Sequence, residues 1–138
     1  MKKMFFLLAL LSAYTVTSQT FDENFVSGKW KVKKIKALKD ADKPETQELV
    51  SGFQKATYIF NADHTFVFDT KSQSKMMLQL EKLFNGKNWI IDAKKKRIKV
   101  GLKKEGYSTL LFNVSFEKEK VIFTIEDTAI EMVMKKSN

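Results

Sequence analysis

The chain has 138 residues, with 25 basic against 16 acidic side chains, no cysteine, one histidine and one arginine. That length bounds it to one domain with one ordinary core, and the missing cysteine excludes disulfides, a thiol nucleophile and a lipid-modified N-terminal cysteine. Its cations are almost all lysine, with Arg97 the sole guanidinium, which argues against bidentate recognition of phosphate or guanine, and nucleic acid is not an expected partner.

Residues 1–18 read as a leader. Lys2 and Lys3 precede an apolar run from Met4 to Ala13, and a small polar zone follows, ending in Val16-Thr17-Ser18-Gln19. Those are the three zones of a secretory signal peptide, with cleavage expected before Gln19. The expected organisation is a signal peptide over 1–18 and one domain over 19–138, exported to the periplasm or beyond. The apolar run falls short of the roughly 20 residues a spanning helix needs, so no stable membrane insertion is expected after cleavage.

Beyond the leader, "FDENFVSGKWKVKKIKAL" opens with a short helical turn and leads into a first strand, Lys29 to Leu38. Strict alternation from Trp30 and Val32 would turn Lys34 and Lys36 inward. A bulge at Lys33-Lys34 would instead return Ile35 and Ala37 to the core and leave the lysines in water, and it is the favoured reading because an unpaired buried ammonium is costly. Lys55 to Phe60 and Thr65 to Thr70 form the next two strands. "NADH" joins them, with His64 at a position where glycine is easiest.

The pattern then changes. In "SKMMLQLEKLFNG", Met76, Met77, Leu80, Leu83 and Phe84 recur at three- and four-residue spacing, which predicts a helix stopped by Gly86. Alternation resumes in "KNWIID" and "RIKVGLK", separated by a charged turn over Ala93 to Lys96. It continues in "YSTLLFNVSFE", "KVIFTIE" and "TAIEMVMKK". The fold class expected is therefore all-β: an eight-stranded antiparallel meander closing into a barrel, with an N-terminal helical turn and one short helix between strands three and four. Closure removes the exposed strand edges that an open meander would leave.

Three motifs together resemble the bacterial lipocalin-like domains of exported proteins: the G-x-W opening at Gly28-Lys29-Trp30, the hairpin "YIFNADHTF" from Tyr58 to Phe66, and the second tryptophan strand "GKNWIID" from Gly86 to Asp92. The resemblance covers about all of the chain after the leader. It implies a calycin-like barrel whose narrow end is closed by Trp30 and the preceding helical turn. His64 stands where that pattern has a turn glycine. The arginine that stacks on the tryptophan has no match near the C-terminus, where Lys135 or Lys136 is the nearest substitute.

Catalytic chemistry has little to draw on. The lone histidine sits in an expected exposed turn, and Asp63 beside it is explained by turn preference rather than by a triad. With one histidine and no calcium-loop spacing, no metal, no cofactor and no enzymatic activity are expected. The expected function is non-enzymatic binding, by a monomer, of a small apolar or amphipathic ligand inside the barrel. The candidate lining is Trp30, Lys34, Tyr58, Phe60, Phe68, Met76, Met77, Trp89, Phe112 and Phe123, with Val32, Phe66, Ile91, Val100, Val114 and Met132 on the same faces. Tyr58 and Trp89 each carry a polar atom suited to a ligand, and the methionine-bearing helix is placed to cover a mouth. Core is the default role for most of these residues. The alternative is a solid barrel acting through its loops or basic surface, as a secreted inhibitor or envelope-assembly factor. Adhesion to acidic glycans or headgroups through the cluster from Lys94 to Lys104 is a third reading.

Overall fold

The computed structural model describes residues 20–137, and the expected leader lies outside them. All eight expected strands are present: β1 (Gly28–Ala37), β2 (Ala56–Phe60), β3 (Phe66–Thr70), β4 (Asn88–Asp92), β5 (Arg97–Gly101), β6 (Leu110–Glu117), β7 (Lys120–Ile125) and β8 (Ile130–Ser137). They pair antiparallel in the order β3-β2-β1-β8-β7-β6-β5-β4, which is a meander wound into a nearly closed barrel. Alternation produces this directly. β2, for example, buries Ala56, Tyr58 and Phe60 while Thr57 and Ile59 stay half-buried on the other face.

The remaining gap, between β3 and β4, is closed by a mixture of backbone and side-chain bonds. Phe66 donates its N–H to Lys87 O, and Trp89 donates its own to His64 O, both at 2.9 Å. Further along, α3 (Lys75–Phe84) takes over from a strand. The Asn85 side chain accepts from Phe68 N–H at 2.7 Å and donates to Phe68 O at 3.1 Å, and Glu81 accepts from Thr70 N–H at 2.9 Å. The edge groups of β3 are thereby satisfied by side chains. α3 starts where Ser74 caps Met77 N–H and ends at Asn85.

The bulge is present in β1. Val32 pairs with Met134 and Lys34 with Val133, so Lys33 is one residue more than the pairing needs. Lys33 and Lys34 are both exposed, while Ile35 packs against the core. Lys34 must therefore be removed from the barrel lining: the bulge costs nothing in buried charge, whereas strict alternation would have buried an ammonium without a partner.

Two ends close the barrel. At one, α1 (Glu23–Val26), capped by the Asp22 carboxylate on Phe25 N–H at 2.8 Å, lies over Trp30. At the other lies α2 (Pro44–Gln54), a helix outside the sequence-based expectation. Pro44 in its first turn, Glu45 beside it, and Leu49, Val50 and Phe53 at three- and four-residue spacing are the signals that mark it. Its C-terminal turn drives Phe53 into the core, 5.8 Å from Phe68 between ring centroids. Met77 of α3 lies on Gly52 so closely that a Cβ there would overlap Met77 Cγ.

Candidate functional site

The lumen was the expected site, and it is filled with rings. Trp30, Tyr58, Phe60, Phe66, Phe68, Trp89, Phe112 and Phe123 belong to one buried cluster with Met77, Val100, Val114 and Met132. Phe112 on β6 decides how much room is left. Its ring lies 6.0 Å from Tyr58 and 6.2 Å from Phe60, both on β2, the strand diametrically opposite in the barrel. It also lies 5.6 Å from Phe123 and 6.5 Å from Phe66. These are contact separations for aromatic pairs, so opposite walls touch across the centre. An eight-stranded barrel is narrow enough for side chains to fill it in this way.

The polar handles expected to meet a ligand are used internally. Tyr58 Oη donates to Phe53 O at 2.9 Å and lies 3.4 Å from Met132 Sδ. Burial pushes the Tyr58 hydroxyl well above its ordinary pKa, which keeps the proton on that donor. Trp89 donates its indole N–H to Asn61 O at 2.9 Å beneath the His64 ring, which stacks on it at 4.9 Å and 26°. Val32 and Ile91 are partly buried against the cluster. Met76 is half-buried and stands outside it, so of the two methionines only Met77 packs inward.

At the α1 end the sequence left the tryptophan's cationic partner open, and Lys136 takes that place. Its Nζ lies 5.6 Å from the Trp30 ring centroid and donates to Asn24 O at 3.2 Å and Phe25 O at 2.8 Å, while Trp30 donates its indole N–H to Val26 O at 2.8 Å. Partial burial lowers the Lys136 pKa, against a weaker upward pull from Asp22. His64 completes the end by meeting Glu23 at 2.7 Å. His64 sits in the left-handed region with φ 73°, as expected of the turn position that favours glycine. Asp63 holds the same turn by accepting from Thr65 Oγ1 at 2.6 Å and Thr65 N–H at 3.0 Å, which draws its carboxyl below its ordinary pKa. His64 is thus engaged with Trp89 and Glu23, and among the described residues no three His, Asp or Glu side chains gather as a metal site would require.

Open concavities lie on the outside. One, of about 290 Å³, sits over β1, β8 and β7, with Ile122 and Val133 among its lining and Lys34, Lys36, Lys120, Glu117 and Glu131 around them. An adjoining hollow of about 350 Å³ shares Lys120 and Val133 and includes Lys33, Lys135 and Glu119. Ile122 is only 4 % exposed yet stands outside the inner cluster, because alternation in β7 turns it away from Val121 and Phe123. A third hollow, about 370 Å³, lies between α2 and the end of β1. The basic residues from Lys94 to Lys104 spread over the β4–β5 turn, β5 and the 3-10 turn Lys103–Glu105. Compared with protein-family models, curated proteins and solved structures, the chain matches none.

Proposed function

We propose that the protein is an exported, non-enzymatic, lipocalin-like barrel whose interior is structural and whose outer surface binds another macromolecule. The observation that carries this reading is the contact of Phe112 with Tyr58 and Phe60 across the lumen. A ligand pocket of the usual kind needs about 300 Å³ or more of enclosed space, and rings in contact across the centre leave little. The filled lumen favours the solid barrel over the carrier role expected from the sequence. Lipocalin-like kinship is supported by the Gly28-Lys29-Trp30 opening, the helical turn over Trp30 and the Lys136 cation on its ring. Export is supported by the zones of residues 1–18.

The test is a titration of intrinsic tryptophan fluorescence with fatty acids, retinoids and haem-like compounds. Trp30 and Trp89 both lie in the ring cluster, so an internal ligand would perturb at least one of them. No saturable change is expected, and a saturable change at stoichiometric ligand restores the carrier.

A further inference from the structure

The bulge in β1 serves no need of the pairing. The partner strand runs Met134, Val133, Met132 without a break, so a β1 lacking one residue there would pair regularly with Val32 and Ile35 still inward. What the extra residue achieves is to place two consecutive lysines, Lys33 and Lys34, on the outer face, one beside each of the two adjoining hollows. Bulges re-aim side chains in this way beside functional sites.

The charge around them is in basic excess: Lys33, Lys34, Lys36, Lys120 and Lys135 line the two hollows against Glu117, Glu119 and Glu131. Among the described residues none of Lys33, Lys34, Lys120 and Lys135 takes part in an ion pair. Of the neighbouring acids, Glu131 is engaged by Lys36 at 3.7 Å, Glu117 faces Lys120 directly across the β6–β7 ladder, and Glu119 stands in the turn between those strands. Lys135 also faces Lys31 directly across the β1–β8 ladder, a like-charge pairing that disfavours the empty surface. Between these cations lie Ile122 and Val133, outward and apolar.

We propose that this face is a docking site for a protein partner's acidic segment, which seats an apolar side chain over Ile122 and Val133 and its flanking carboxylates on Lys33, Lys34, Lys120 and Lys135. The site deepens the solid-barrel reading and rests on it. An apolar floor set inside a cationic rim selects against a uniformly charged glycan, and a concave floor does not fit the plane of a lipid surface. A free amphiphile would be left largely in water by so open a hollow, whereas small-molecule sites bury most of their ligand. A side chain held by its own backbone needs only a local depression, with rim charges setting the association rate and its salt dependence.

The experiment measures fluorescence anisotropy of a labelled peptide of alternating glutamate and leucine against the protein and two variants, K34E/K120E and Val133→Asp, whose folding is checked by thermal melts. Saturable binding is expected, weakened about tenfold in K34E/K120E and by a similar factor in Val133→Asp. An oligoglutamate peptide should bind more weakly, and equal binding overturns the apolar anchor. Heparin or phosphatidylglycerol vesicles that bind more tightly than the peptide, with the same loss in K34E/K120E, overturn the protein partner. Absent or variant-independent peptide binding overturns this site alone if the apolar ligands leave tryptophan fluorescence unchanged. A ligand-induced change that survives in K34E/K120E overturns the solid barrel as well.

Discussion

Replacing Phe112 by alanine is the most direct probe of a filled lumen. The ring is fully buried and meets four others, from Tyr58, Phe60, Phe66 and Phe123. Returning the phenyl group to water costs about 2 kcal/mol in transfer free energy. The void left behind, roughly 80 Å³ at about 24 cal/mol per Å³, adds about 2 kcal/mol where the walls cannot collapse. Those walls are opposite strands of one nearly closed sheet, held apart by the ladder, so little collapse is expected. The total of about 4 kcal/mol is a large part of a typical stability of roughly 5–15 kcal/mol, yet leaves a foldable protein. Urea unfolding should show a lower midpoint at unchanged slope. The variant should also take up xenon under pressure, read from shifts of the lining side-chain NMR signals, where the parent does not, because dry apolar voids of this kind bind such small apolar ligands. A loss below about 2 kcal/mol, or an equal response to xenon in the parent, would mean that the lumen was hollow before the substitution.

Deleting Lys33 should regularise β1 and change stability by less than about 1 kcal/mol in chemical unfolding, since the β8 partners Met134, Val133 and Met132 remain in register. Lys136→Met removes the donor to Asn24 O and Phe25 O and the cation on Trp30. It should cost about 1–2 kcal/mol and raise amide exchange in residues 21–27 ahead of the rest. Gly52→Ala should cost about 1–3 kcal/mol through overlap with Met77, and in a double-mutant cycle with Met77→Ala much of that penalty should vanish. Asp63 has its folded pKa drawn below 3.8 by Thr65, so its contribution is full above that value and is lost as pH falls through the lower folded one. Thermal melts of Asp63→Ala and the parent should therefore differ by a constant amount above about pH 5 and converge in stronger acid.

Strand content, strand faces, the helix over 75–84 and even the β1 bulge were legible in the sequence. Each depends on neighbours along the chain: alternation fixes which side chains share a face, and a lysine run crossing an apolar face forces a choice between a bulge and buried charge. The left-handed His64 was readable on the same grounds, from a turn sequence of Asn and Asp. Helix α2 was legible in part, since Pro44, Leu49, Val50 and Phe53 carry helical spacing, but a polar stretch between two clear strands reads as a loop until something is seen to need its apolar face.

The sequence by itself determined the eight strands, their inward faces and the tryptophan that closes one end. Tertiary structure alone decided what those faces enclose, because an inward residue lines a cavity or fills it according to the distance to the opposite wall. That distance depends on how the sheet closes, and closure is set by contacts that local alternation does not specify: Asn85 on Phe68, Glu81 on Thr70, and Lys87 on Phe66. The same holds for Lys136, whose place over Trp30 arises from β8 returning beside β1 across more than a hundred residues. It holds too for Lys33 and Lys34, which alternation could turn outward, but which only the adjacency of β1, β8 and β7 brings together with Lys120, Ile122 and Val133.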